Sequence, residues 1–237
     1  MEQEEIWKKH TMGLKPEDLF KRIQNPAQFQ IELNAMLSQL ITENGYKSAI
    51  EVGCEAGTSS AMLDKSIEVT LLDLNDDIIK LDQEAYATTY PNFKYCVADM
   101  FAMPFEDESF DLVFNAGVIE HFDFDDRARA IKEYWRVLKK GGTMVIAFPN
   151  HYSLPYRFAY LVRTITKKWI FPPENKMYNL KKELQASGID GLQRTVLSKA
   201  SIFNWNSYSP LVNNCFKALD KVFNFEGYLT AIWVKKN

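Results

Sequence analysis

The stretch Ala49-Ile-Glu-Val-Gly-Cys-Glu-Ala-Gly-Thr-Ser, residues 49–59, constrains this chain more than any other. An apolar, strand-like run ends in Glu51, the chain turns through Gly53 and Gly57, and a helical pattern opens at Thr58. A strand, a tight loop and a helix N-terminus that meet in this way are the anatomy of a nucleotide-type site. Glycines let the backbone approach a ligand closely, and the unpaired N–H groups of a first helical turn favour an anion. The spacing argues against a dinucleotide, because the G-x-G-x-x-G fingerprint started at Gly53 needs glycines where Glu55 and Thr58 stand.

From Ala49 to Asn150 the pattern reads strand, helix, strand, helix, strand, strand, helix, strand. Helices are predicted over Thr58–Ser66, Asp76–Thr89 and Asp125–Leu138. Lys139-Lys-Gly-Gly is read as the basic, glycine-capped end of the last of these, and Thr143–Phe148 as a buried strand. Such alternation implies an α/β fold, a mostly parallel sheet with helices on both faces. Ligands then bind beyond the C-terminal ends of the strands, and Glu51, Asp73, Asp99 and Asn115 all fall at predicted strand ends on one rim.

Two further stretches narrow the ligand. Glu68-Val-Thr-Leu-Leu-Asp-Leu ends a second apolar run in Asp73 and Leu74, where a carboxylate can accept both hydroxyls of a ribose. Phe93-Lys-Tyr-Cys-Val-Ala-Asp-Met then reaches Asp99 and Met100 and is followed by Met103-Pro-Phe-Glu-Asp-Glu-Ser-Phe-Asp-Leu-Val-Phe. The pattern E-x-G-x-x-x-G, the acid at Asp73 and this third segment, in that order over about half the chain, resemble the class I S-adenosylmethionine-dependent methyltransferases. Glu55 stands where that family usually has a middle glycine.

The resemblance implies a Rossmann-like, doubly wound, mostly parallel seven-stranded sheet with an antiparallel C-terminal strand. It implies S-adenosyl-L-methionine as cofactor, held by Glu51, Gly53, Gly57, Thr58, Asp73, Leu74, Asp99, Met100 and Asn115. Asp99 would accept the adenine amino N–H and Met100 would lie against the ring, while Glu51 would face the ligand's ammonium and the amides at Thr58 and Ser59 its carboxylate. Asn115-Ala-Gly-Val does not match the Asn/Asp-Pro-Pro-Tyr/Phe motif of enzymes that methylate base or amide nitrogens, which points to a small-molecule acceptor. Glu120-His121 resembles the "EH" pair of the small-molecule branch. His121 is the candidate general base, with packing as the competing role.

Composition removes other classes. A net charge of −3 supplies no field to draw in nucleic acid, and 237 residues with 25% charged side chains and no long apolar run read as one soluble domain over 1–237, expected in the cytoplasm. The acidic start, Met1-Glu-Gln-Glu-Glu, is unlike a secretory signal. Cys54, Cys96 and Cys215 have neither disulfide nor metal spacing, so no metal is expected.

Outside the central segment, residues 1–45 read as helices. One opens at Pro16, and a longer one from Pro26 carries Phe29, Leu33, Met36, Leu37, Leu40 and Ile41 at helical spacing, to pack on the sheet or to cover the cleft. Residues 151–188 read as a substrate-recognition insert. Within it, Tyr152–Phe171 is expected to form a lid over an apolar or aromatic acceptor, with a solvated surface helix and peripheral contact with an anionic membrane as the competing roles. A helix is expected over Asn175–Ser187, and strands over Leu192–Leu197 and Tyr228–Lys235. Phe203, Trp205, Tyr208 and Phe216 are candidates for the pocket wall or the core. The alternatives to a methyltransferase are a non-catalytic S-adenosylmethionine-binding or regulatory module and, disfavoured by the glycine spacing, an NAD-dependent oxidoreductase.

Overall fold

The computed structural model describes residues 2–203 and 209–237. Three helices open the chain, α1 (Glu2–Thr11), α2 (Pro16–Gln24) and α3 (Gln28–Asn44). An alternating segment follows: β1 (Ser48–Val52), α4 (Thr58–Ala61), β2 (Glu68–Asp73), α5 (Asp76–Tyr86), β3 (Phe93–Val97), β4 (Phe110–Ala116), α6 (Phe124–Val137) and β5 (Leu138–Pro149). The remainder is α7 (Leu154–Ile165), α8 (Lys181–Ala186), β6 (Gln193–Leu197), α9 (Pro210–Phe223) and β7 (Leu229–Lys235).

The seven strands make one sheet in the order β3-β2-β1-β4-β5-β7-β6. Pairing is parallel from β3 through β5, and β7 runs antiparallel to both β5 and β6. This is the Rossmann-like, doubly wound sheet expected from the alternation. From β1 the chain winds outward to β2 and β3, then returns to β4 on the other side, so the order reverses between β1 and β4 and leaves a crevice there.

The two faces follow strand parity. Ala49, Leu71, Leu112, Phe114 and Val145 point to one core, with Leu33 and Leu37 of α3 and Tyr86 of α5. Ile50, Leu72, Val113, Met144 and Ile146 point to the other, with Ile131 and Tyr134 of α6. Leu37 is wholly enclosed, so truncation there would cost roughly 2–5 kcal/mol.

Three local expectations are corrected. The helix after Gly57 ends at Ala61 rather than Ser66, because Asp64 Oδ1 accepts the Ser66 amide (2.8 Å) in a local turn that competes with helix. Lys139–Gly142 is not a helix end. Leu138 is already extended and opens β5, Lys139 Nζ donates to Asp111 Oδ1 (2.9 Å), and a Cβ on Gly142 would meet the Asp111 carbonyl at 2.7 Å, so this glycine lets two strands approach. The helix expected from Asn175 begins only at Lys181, since Asn175 gives its backbone N–H and Nδ2 to the carbonyls of Glu120 and Phe122.

Candidate functional site

The crevice at the switch point is a cleft of about 430 Å³, within the range of small-ligand sites. Its floor is the loop after β1. Gly53 and Gly57 both have left-handed φ (+69° and +56°), and the Gly53 and Cys54 amides donate to the Leu72 carbonyl, which pins the loop to the end of β2. The two glycines serve different purposes. Gly53 lines the cleft, and a Cβ there would strike Val118 at 2.7 Å. Gly57 does not line it. A Cβ on Gly57 would meet Leu71 at 2.9 Å and Tyr86 at 3.4 Å, so this glycine permits loop and helix to sit on the sheet rather than making way for a ligand.

Glu55, at the position of the usual middle glycine, takes the conformation a glycine would, with φ +46°. Its amide donates to Asp73 Oδ2 (3.0 Å), and its carboxylate accepts from Arg22 Nη1 of α2 (2.9 Å) and lies 3.3 Å from His10 Nε2 of α1. Burial works against ionisation of Glu55 but is outweighed by His10 and Arg22, leaving the carboxyl below its ordinary pKa. A side chain where backbone alone is usual therefore becomes the point at which two N-terminal helices are fastened to the loop.

The strand-end acids are held by local amides. Glu51 Oε2 accepts from the amide and hydroxyl of Ser60 (3.1 and 2.6 Å). Burial pushes its carboxyl up to about 7, with the Ser60 bonds opposing the rise. Asp73 accepts one backbone N–H on each oxygen, from Asn75 and Glu55, which leaves each oxygen able to accept a second donor. Its pKa is raised by burial, partly offset by those amides. Asp99 is exposed and accepts the Phe101 amide (3.0 Å). Asp82 of α5 lies beneath this group, wholly enclosed, with its Oδ2 receiving the Cys54 thiol; burial, then Glu51 and Asp73, push it up to about 9.

Of the sequence-derived candidates, Glu51, Gly53, Thr58, Asp73, Leu74, Asp99, Met100 and His121 all line the cleft. Asn115 does not. It sits one residue off the parity of Phe114 and Ala116, so its side chain enters the core on the other face and donates to Tyr134 Oη (3.1 Å). Tyr134 in turn donates to Met100 Sδ (3.4 Å), so Asn115 supports a cleft residue from behind. Thr58 and Ser59 open only a single helical turn, much shorter than expected.

His121 lies in a 3₁₀ turn, Ile119–His121, past the end of β4. Its Nδ1 is 3.2 Å from the Pro173 carbonyl and its ring meets Trp7 edge-on at 5.4 Å. Burial lowers its pKa, against the pull of the Pro173 carbonyl and Glu174. Glu120 beside it is buried, and its carboxyl is raised well above the ordinary range by burial and by Glu174. His151 is instead engaged with Glu174 (2.8 Å) and Arg157 (3.0 Å), away from the cleft lining.

The N-terminal helices supply much of the cleft wall: Trp7, Lys8, Thr11, Arg22, Phe29 and Gln30. Thr11 Oγ1 also accepts from Asn75 Nδ2 (3.1 Å), a second tie between α1 and the rim. Phe29 belongs to the apolar stripe expected to pack on the sheet or cover the cleft, whereas the others carry no local signal of this role beyond the Trp7-x-x-His10 spacing, which sets two rings on one helical face. Among the described residues, none from 152–171 lines the cleft, and neither do Phe203 or Phe216; Trp205 and Tyr208 lie outside the described residues.

Comparison with known proteins bears on this geometry. The Methyltransferase domain family matches residues 50–146, from within β1 to near the end of β5. Residues 50–146 thus resemble a methyltransferase domain. The 2-methyl-6-phytyl-1,4-hydroquinone methyltransferase of Synechocystis sp. is 30% identical over 151 residues, 60% of this chain and 46% of that protein. The demethylmenaquinone methyltransferase of Staphylococcus aureus is 30% identical over 140 residues, 57% and 56% of the two chains. The chain thus spans about half the length of the curated relatives it matches. Among solved structures, a SAM-dependent methyltransferase from Archaeoglobus fulgidus superposes with a TM-score of 0.60 at 20% identity, over 93% of this chain and 99% of that one, which shows a shared fold. The matched segment contains every strand-end acid of the cleft, whereas Trp7, Arg22 and Phe29 lie N-terminal to it.

Proposed function

We propose that the chain is an S-adenosylmethionine-dependent methyltransferase whose acceptor is a small apolar or aromatic molecule. One observation carries the reading: the switch-point cleft brings the carboxylates Glu51, Asp73 and Asp99 together with the rings of Trp7, Phe29, Phe101 and Phe122. In this reading Asp73 accepts the ribose hydroxyls, Asp99 the adenine amino group, and Met100 and Leu74 border the base. Glu51 and the close backbone at Gly53 take the amino-acid end, where an ammonium meets a carboxylate and no side chain blocks the approach.

S-adenosylmethionine supplies a methyl group made electrophilic by its sulfonium, and transfer is an in-line displacement in which positive charge disappears. The protein's task is then to align two partners and exclude water. Trp7 and Phe29 from the N-terminal helices, with Phe101 and Phe122 from the rim, supply the dry wall. By their names, two relatives methylate a hydroquinone and a demethylmenaquinone, and these rings suit a flat acceptor of that kind. Where the acceptor has to lose a proton, His121 is the base. Its lowered pKa leaves it neutral and able to accept a proton at neutral pH.

Calorimetric titration with S-adenosylmethionine, followed by turnover to S-adenosylhomocysteine with hydroquinone and naphthol acceptors, tests the proposal. Binding with turnover on at least one aromatic acceptor is expected. Absence of S-adenosylmethionine binding would refute it, and binding with no turnover across such acceptors would favour a regulatory module.

A further inference from the structure

The helix α7 is apolar on two faces, one buried and the other largely exposed. Tyr156, Ala159 and Tyr160 are buried against the body of the protein. The opposite stripe, Leu154, Phe158, Leu161 and Ile165, recurs at i, i+4, i+7 and i+11 and faces solvent, with Ile165 79% exposed. The helix α9 repeats the pattern: Leu211, Leu219, Val222 and Phe223 are exposed while Phe216 is buried. Phe158 of α7 meets the buried Phe216 at 5.6 Å, so the two helices pack beside one another. Soluble surfaces rarely gather large side chains in this way unless the patch docks on something.

The charge around the patch says what it docks on. Residues 154–171 contain Arg157, Arg163, Lys167 and Lys168 and no carboxylate, in a chain whose net charge is −3. Arg157 turns inward to His151 and the Tyr160 ring, whereas Lys167 and Lys168 follow Ile165 at the exposed end of the stripe. On α9, Lys217 and Lys221 are exposed but stand two positions from Leu219, on the other side of the helix, so the cations beside the apolar stripe are those at the end of α7. An apolar stripe edged by cations is complementary to the acyl boundary and anionic headgroups of a bilayer. No helix among the described residues is long and apolar enough to cross a membrane, so the contact is with its surface.

We infer that the exposed faces of α7 and α9 form a docking surface for an anionic lipid bilayer. The surface adjoins the cleft. Just past α7, Ile170 is exposed, Trp169 meets Phe171 at 5.6 Å, and Phe171 meets Trp7 of the cleft wall at 5.7 Å. A chain resting on these helices sets the mouth of the cleft beside the membrane, where an acceptor dissolved in lipid enters without crossing water. The docking itself does not rest on the methyl-transfer reading, since it concerns side chains outside the cleft lining.

The test is co-sedimentation of the full chain with vesicles of phosphatidylcholine alone and of phosphatidylcholine with phosphatidylserine, near 0.15 M salt, alongside calorimetry with S-adenosylmethionine. Binding to the anionic vesicles and much weaker binding to the neutral ones is expected. I165E and V222E should each lose at least about tenfold in partition, and I165L should retain it. K167E combined with K168E should lose roughly tenfold or more on anionic vesicles, because each cation near the surface contributes a factor of about five. Thermal midpoint and S-adenosylmethionine affinity, measured on the same samples, should stay unchanged in all four. If the apolar variants fail to fold, the lysine pair reads the same surface without touching the packing. No binding to anionic vesicles, or equal binding by the wild type and the folded variants, overturns the inference. So does a dimer in light scattering that I165E turns to monomer with no vesicle binding, which would assign the patch to a second copy.

Discussion

Replacing Glu55 separates the two things this residue does. In the wild type a non-glycine side chain is held at φ +46°, which costs about 1–2 kcal/mol relative to glycine. Against that, the carboxylate fastens α1 and α2 through His10 and Arg22. These side chains are about one-third exposed or less, so the pairs together contribute about 1 kcal/mol. Glu55→Ala removes the pairs and keeps the backbone cost, so it should destabilise by about 1 kcal/mol. Glu55→Gly removes the pairs but also the backbone cost, and gives back roughly 0.5–1 kcal/mol through the freer unfolded chain. It should therefore fall close to wild type and above Glu55→Ala by about 0.5–1 kcal/mol. Urea denaturation with shared m-values reads the difference. Arg22→Ala should cost less in the glycine background than in the wild type, since its partner is already gone. Because the folded pKa of Glu55 is depressed, its contribution is present above the ordinary glutamate value and lost as pH falls through the lowered one. The gap between wild type and Glu55→Ala should close accordingly in acid. Equal stability of the alanine and glycine variants, with no coupling to Arg22, would refute the account of a strained residue used as a fastening.

Other predictions address the cleft. Asp73→Ala should weaken S-adenosylmethionine binding by about 1.5–3 kcal/mol in calorimetry, the range for hydrogen bonds to a charged group, and unchanged affinity would remove the ribose assignment. With Glu51 titrating near 7 and an ammonium favouring its ionised form, cofactor affinity should rise as pH increases through 7. The slope below 7 should approach tenfold per pH unit, and Glu51→Gln should flatten it. Asp82 is raised to about 9 in the folded chain, so its stability is fully present below the ordinary aspartate value and declines as pH rises to 9, by up to about 1.4 kcal/mol per pH unit. Asp82→Asn should then gain on wild type from pH 5 to pH 8 in denaturation midpoints, and parallel pH profiles would count against it. His121→Ala should lower kcat/KM about 10²–10⁴-fold on an acceptor that must be deprotonated, with the wild-type rate falling below pH 6.5; a flat profile and a small loss would leave the ring a packing role.

The sheet and the rim of the cleft were legible in the sequence because both are written locally. Apolar runs ending in Glu51, Asp73 and Asp99 mark strand ends, and in a parallel α/β sheet strand ends share one edge whatever the details of packing. Asn115 shows where that logic stops. Its position at the end of β4 was visible, but whether its side chain meets the cleft or Tyr134 depends on which face of the sheet carries which helices, and one residue of parity decides it. Gly57 is similar: the left-handed turn was readable, whereas the close neighbours that require it, Leu71 and Tyr86, come from other elements. Glu55 and Arg22 are 33 residues apart, and no period in the chain connects them. α7 carries apolar residues on two faces, so periodicity alone could not say which face the body of the protein would take and which it would leave to solvent. Local backbone preference and hydrophobic period specify elements and their order, but a side chain's partner is set by distances that exist only once those elements have packed.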